Sequence, residues 1–257
     1  MVEEIGRRPR GMSGAALRTW AAMFLLIGIA GKTVIERGEL GIDSASAQAL
    51  MEAMDSSSGM GFATIALICR LIYCSAVPIY AFLLTEGFQH TSDFWKYLER
   101  VLIVACAAEL PYNLALSGNI LNMSSRNPCF ALALGLVLLF FYRQFAGKCF
   151  KNVLIKAALF LLALVWVAML RIDEGFPLIL LVTVFYALRE KQSVRGIAAC
   201  SAALVCSLSS IYYIVSPMTI IMTHFYNGEE GESGRAANML CWPLILLVFG
   251  VLTAVMF

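Results

Sequence analysis

Apolar residues in this chain gather into long runs, without the alternation of a half-buried strand or the three-to-four spacing of a surface helix. The runs cover residues 17–34, 61–84, 97–116, 128–145, 153–170, 176–188, 196–226 and 239–257. Most approach the roughly 20 residues needed to cross about 30 Å of hydrocarbon. In lipid every backbone N–H and C=O must be bonded within the segment, so each run is expected to be a helix. The stretch 196–226 is too long for one upright crossing, and Ser216-Pro217 breaks it, so it reads as one span or as two short helices. The pattern predicts an all-α fold, a polytopic integral membrane helical bundle of about eight or nine transmembrane helices.

Between the runs the chain is polar only briefly. The longest polar stretch, residues 32–60, is too short to bury a core of its own. The expectation is a single membrane domain over residues 1–257, with a basic N-terminal tail at 1–16 and an extracytoplasmic loop at 35–59. In that loop Leu50, Met51 and Met54 share one helical face, which fits a short interfacial helix or an ordinary flexible loop. The first run lacks a small-residue cleavage pattern and is expected to stay as a transmembrane helix.

Composition agrees: 60% of residues are hydrophobic, only 14% are charged against about 25% in soluble domains, and mean hydropathy is +0.80. A net charge of +2 gives no electrostatic case for a nucleic-acid partner. The placement of the charges says more. Of the 19 Lys and Arg, thirteen fall on one side if the N-terminus is cytoplasmic: Arg7, Arg8, Arg10, Arg18, Lys96, Arg100, Arg143, Lys148, Lys151, Lys156, Arg189, Lys191 and Arg195. Only Lys32, Arg37, Arg126 and Arg171 fall on the other. That bias predicts a cytoplasmic N-terminus and leaves the side of the C-terminus open. The eight cysteines mostly sit in or beside apolar runs and read as small packing residues, and two histidines are too few for a histidine metal site, so no metal is expected.

Ionisable groups within the runs are costly and mark function by default. Arg70 lies in the second run, Glu86 at its end and Glu109 in the third. If the two runs are antiparallel neighbours, Arg70 and Glu109 come to similar depth and are expected to pair, either to fix packing or to serve a site. His90 follows Glu86 by one helical turn, so the two could share a proton as a base, or form a solvated helix end. Pro78, Pro111, Pro177, Pro217 and Pro243 lie in or beside runs and point to kinked helices around a cavity.

The block PIYAFLLTEGFQHTSDFWKYLERVLIVACAAELPYNLA, residues 78–115, resembles the TraX family, whose members read FPIFAFLLVEGF-HT, then K-Y-x-x-R-L, then S-E/Q-I-P-F. NPCFALALGL from Asn127, IDEGFPLILLVTVFYALREK from Ile172, FYNGEEG from Phe225 and CWPLILLVF from Cys241 match further family segments in order. The resemblance implies a bacterial cytoplasmic-membrane protein that acetylates the N-terminus of a pilin-like small membrane protein, with acetyl-CoA as donor. It singles out Arg70, Glu86, Gly87, His90, Glu109, Pro111, Asn127, Asp173 and Asn227. The expected roles are catalytic for Glu109, His90 and Glu86, and donor-binding for Arg70 and Asn127. Gly87, Pro111, Asp173 and Asn227 have no assigned role. Three departures stand out. The family's Asp-His-Ile-Gly in the first helix is Gly28-Ile29-Ala30-Gly31 here, its Gly-Arg before A-F-P is Tyr73-Cys74, and the histidine of its last helix is Ile245. These leave open a catalytically inactive homologue that serves as a binding or assembly factor, and, as a different class, a small-molecule transporter.

Overall fold

The structure, a computed structural model, describes residues 11–41, 47–55, 59–119, 124–147, 149–231 and 235–256. The basic residues Arg7, Arg8, Arg10 and Lys148 lie outside that set. The described residues form ten α-helices and no extended strand. Four helical stretches are long and apolar enough to cross a membrane, including Met60–His90 and Phe150–Leu170. The chain is a membrane-spanning α-helical bundle.

Helix α1 (Gly14–Ala30) begins where Ser13 Oγ accepts from the Ala16 N–H. The next unpaired donors of this helix start, the N–H groups of Gly14 and Ala15, donate to the carbonyls of Glu229 and Glu230, each at 2.8 Å. One remote segment thus closes this helix end, which would otherwise leave bare N–H groups. The helix does not stop at Val34. It rewinds as a π-helix over Gly31–Glu39, with an N–H···O bond from Leu40 to Ile35. The wider turn rotates Thr33 and Glu36 inward, and both are buried. The residues of the expected outer loop therefore begin in helix. A short helix α2 (Ala47–Met54) follows, with Leu50 packed on Ala63 and Ala66.

Helix α3 (Met60–His90) is the hub of the bundle and packs on α1, the π-segment, α2, α5, α7 and α9. Its approach to α1 is close. A Cβ on Gly28 would lie 2.4 Å from the Cβ of Tyr73, and one on Gly31 would lie 2.3 Å from that of Cys69. Only glycine permits that spacing, the small-residue contact common between membrane helices. Asp93 caps α4 (Phe94–Ser117), which diverges from α3 and packs on α10 and α5. Gly118 ends α4 at φ +69°, with the Arg37 guanidinium where a side chain would sit. Helices α5 (Cys129–Gln144), α6 (Phe150–Leu170) and α7 (Gly175–Ala187) then run back and forth through the bundle.

The stretch 196–226 resolves into two short helices, α8 (Gln192–Cys206) and α9 (Ser216–His224), joined by a 3₁₀ turn at Ile211–Val215. Pro217 sits in the first turn of α9, where a missing N–H costs nothing. Contacts show that the pair is a re-entrant hairpin. Arg195 near its start bonds Glu86, and its apex meets Arg70 and Glu174 through Tyr212 and Tyr213. Its exit, Phe225 and Asn227, bonds Met12 just ahead of α1. The hairpin enters and leaves at the end of the bundle where α1 begins. Helix α10 (Arg235–Met256) then runs the length of α4, with Gly250 against Leu114 near the far end. Among the described residues seven helices, α1, α3, α4, α5, α6, α7 and α10, run between the two ends of the bundle beside the hairpin, four of them in stretches long and apolar enough to cross. The expectation of eight or nine treated the hairpin as crossing segments.

Candidate functional site

A layer of polar side chains crosses the interior between the middle and the far end of the bundle. Arg70 Nε and Nη2 donate to the two carboxylate oxygens of Glu36 at 2.5 and 2.8 Å, and the pair is buried. The Arg70 guanidinium also lies 5.2 Å from the ring centre of Tyr212. Two tyrosines donate to adjacent carboxylates, Tyr112 to Asp173 and Tyr213 to Glu174. Arg126 Nη1 and the Asn127 N–H both donate to Glu109, at 3.3 and 3.1 Å. Asn127 Oδ1 accepts from the Cys129 N–H and from Trp242 Nε1, at 3.1 and 3.2 Å. Lys32 places its ammonium 3.9 Å above the ring of Tyr73. Nearly every one of these groups is satisfied, as burial in low dielectric requires. Two are not: Tyr73 Oη and Asn127 Nδ2 are buried and have no hydrogen-bond partner among the described residues.

Beside this layer lies a cavity of about 310 Å³. Its walls come from α1 (Arg18, Leu25), α3 (Tyr73, Val77, Tyr80), α5 (Cys129, Leu132), α7 (Leu178) and α10 (Trp242, Ile245). Glu174 closes it at one end, and Arg18 stands at the other, near the start of α1. Ten residues separate the level of Arg18 from that of Gly28, which packs on Tyr73, so the cavity is about 15 Å long. It is mostly apolar, with a few convergent polar groups, the usual make-up of a small-molecule site. Glu174 is half-buried and faces this space with its carboxylate steadied by Tyr213.

A family model described as TraX protein matches residues 47–253. The chain belongs to the TraX family. It is also 26% identical, over 198 residues, to a protein of Dichelobacter nodosus named probable fimbrial assembly protein FimC of serogroup H1; the match covers 68% of this chain and 78% of that protein. No solved structure matches the chain.

The TraX-like segments converge on the polar layer. The segment around Glu109 and Pro111, the NPCF segment and the IDEG segment meet there: Glu109 holds Asn127, and the Arg126 N–H donates to the Arg171 carbonyl while the Asp173 N–H donates to that of Arg126. Pro111 sits inside α4, directly before Tyr112, which holds Asp173. The expected Arg70–Glu109 ion pair does not form. Arg70 bonds Glu36 and Glu109 bonds Arg126, because α4 leans on α10 and α5 and leaves α3 to the π-segment. Glu86, Gly87 and His90 lie apart, toward the start of α1. The Glu86 carboxylate bonds Arg195 at 3.4 Å, while His90 Nδ1 faces the Glu86 main-chain carbonyl at 2.9 Å, so the two side chains do not share a proton. Gly87 gives room to the Tyr97 hydroxyl, which joins α3 to α4. Asn227 sets the exit of the hairpin: its N–H donates to the Met12 carbonyl and its Oδ1 accepts from the Glu229 N–H. Sequence reasoning gives no site role to Glu36, Tyr73, Glu174 or Trp242. Glu36 and Glu174 lie just outside the apolar runs; Tyr73 enters only as a departure from the family pattern, and Trp242 only within a matching segment.

Proposed function

We propose that this chain is a multi-pass protein of the bacterial cytoplasmic membrane, with its N-terminus in the cytosol. In this reading it transfers an acetyl group from acetyl-CoA to the amine of a pilin-like small membrane protein. Family membership and the fimbrial assembly relative support the setting. One observation carries the chemistry: the cavity holds a carboxylate, Glu174, on the same wall system as the partnerless hydroxyl of Tyr73, with a cation, Arg18, at its other end. The thioester carbonyl would sit against Tyr73, whose hydroxyl donates to the oxygen as it gains negative charge. Glu174 would take the proton of the attacking amine as the C–N bond forms. The C–S bond then breaks, and CoA leaves as a thiolate that takes up a proton from solvent. Arg18 would meet the phosphates of the donor, about 15 Å away along the cavity. Glu109 and Asn127 act here as positioning residues that hold the wall at Pro128 and Cys129, and Arg70 fixes α3 to the π-segment.

A second reading rests on the same cavity. Ile245 lines it, and Gly28 lies under Tyr73, at the positions where the resemblance implies a histidine and an aspartate. A cavity without those groups fits an assembly factor that binds a pilin-like helix and does no chemistry. The test is transfer of labelled acetyl from acetyl-CoA to a pilin-like protein by the purified chain in detergent. Acyl transfer predicts label on the N-terminal amine and a loss of about 10²- to 10⁴-fold in Glu174→Gln, the scale of one general base. Retained pilin binding with no label, in folded protein at saturating donor, selects the assembly factor.

A further inference from the structure

A second constellation of charge lies at the end of the bundle where α1 begins, outside the cavity. Three helix ends meet there over a layer of aromatic rings. Phe88 and Tyr186 touch edge to face at 6.0 Å, and Tyr142 and Tyr186 lie 6.1 Å apart. Arg143, in the last turn of α5, places its guanidinium 4.9 Å from the ring centre of Phe88 and 5.9 Å from that of Phe140. Arg189, just past α7, places its own 4.4 Å from Tyr186. The Tyr142 hydroxyl donates to the Lys156 carbonyl at 3.3 Å, which brings the α6 backbone to the same rings.

The charge of this group is not cancelled. Arg143 is exposed and forms no ion pair among the described residues. Arg189 has one ion-pair partner among the described residues, Glu190 at 3.9 Å, a carboxylate that stands largely in water, and its Nη1 donates to the Tyr186 carbonyl at 3.4 Å, which leaves Nη2 and Nε for a ligand. The contrast is Arg195, which bonds Glu86 in a mostly buried pair and stacks on Phe82. An excess of Lys and Arg at one membrane face orients a protein without any defined geometry. Here two guanidiniums also lie within 5 Å of the centres of two rings, Phe88 and Tyr186, that pack on each other, so aromatic contacts hold both side chains at one place on the bundle end. Planar forks of that kind bind phosphate in two-point fashion.

We propose that Arg143 and Arg189 form a binding site for a phosphate group at this end of the bundle. Two sources present that chemistry, an anionic phospholipid headgroup and a soluble phosphate compound. The experiment measures the thermal unfolding midpoint of the full chain in neutral detergent. One arm adds phosphatidylglycerol against phosphatidylcholine, and the other adds adenosine 3′,5′-bisphosphate. Each is read in wild type, in Arg143→Gln/Arg189→Gln, and in Lys96→Gln as a control at the same end. The site predicts a rise of about 5 °C or more at a hundredfold excess over Kd with at least one of the two anions. That rise is lost in the double variant and kept in Lys96→Gln. Arg143→Lys/Arg189→Lys, which keeps the charge and loses the forks, keeps only part of it. A rise with phosphatidylglycerol alone assigns the site to a headgroup, and a rise with the bisphosphate alone assigns it to a soluble ligand. No rise with either, or an equal rise in the double variant, overturns the proposal. Acetyl transfer is not read in this assay, so the outcome stands apart from the fate of the cavity.

Discussion

At the scale of single residues, the interior is governed by which groups find partners. Glu36 and Arg70 are a buried, two-point ion pair, and each charge offsets the burial of the other. Removing one member should cost about 3–5 kcal/mol, since the survivor loses its two-point partner in low dielectric. Glu36→Gln and Arg70→Gln are each expected to lower the unfolding midpoint in detergent sharply. The apolar double replacement Glu36→Leu/Arg70→Met should recover most of that loss. The sequence pointed to several residues of this layer, Arg70, Glu109, Asn127 and Asp173, but misassigned a partner. Counting residues along two helices gives depth, and depth matched Arg70 to Glu109. It says nothing of azimuth, and α3 and α4 face different neighbours. Glu36 escaped notice for a related reason: Lys32, Glu36 and Arg37 look like the end of a helix in composition, while the backbone continues by widening its turn.

At the scale of elements, the helices were legible because lipid allows little else, and their ends were less so. The start of α4 shows what fixes such an end. Asp93 accepts from the Lys96 N–H at 3.2 Å and lies 3.1 Å from its ammonium. The backbone bond to Lys96, first, and then the bond from its side chain hold the Asp93 carboxyl below its ordinary value. A depressed pKa means that the charged cap adds stability at pH values above the unfolded pKa, and that this is lost as pH falls through the folded one. Asp93→Ala is therefore expected to melt below wild type at pH 7, with the gap closing in strong acid. A gap that persists unchanged at pH 2 would show that the cap acts without its charge. The hairpin marks the opposite case. Its break at Ser216-Pro217 was visible, but hydropathy cannot tell a helix that crosses from one that turns back, because both bury apolar surface.

At the scale of the whole molecule, seven traversing helices place the start of α1 and the end of α10 at opposite ends of the bundle. The folded-back hairpin leaves its two flanks on one side of the membrane. In a variant whose eight native cysteines are replaced, single cysteines at Glu190, before the hairpin, and at Asn227, after it, probed with an impermeant thiol reagent in cells, should label from the same side. Labelling from opposite sides would return the hairpin to the status of a crossing segment. The same folding back has a consequence for how the chain is made. A hydrophobic segment of ordinary length can leave the translocon singly, as a finished rod in lipid. Helices α8 and α9 are each too short for that, with 15 and 9 residues, and the apex tyrosines meet Glu174 and Arg70 only in the assembled bundle. The hairpin is therefore expected to settle only after α3 and α7 have gathered. Only after that can the carbonyls of Glu229 and Glu230 close the first turn of α1, so the earliest helix to be synthesised is among the last to be sealed.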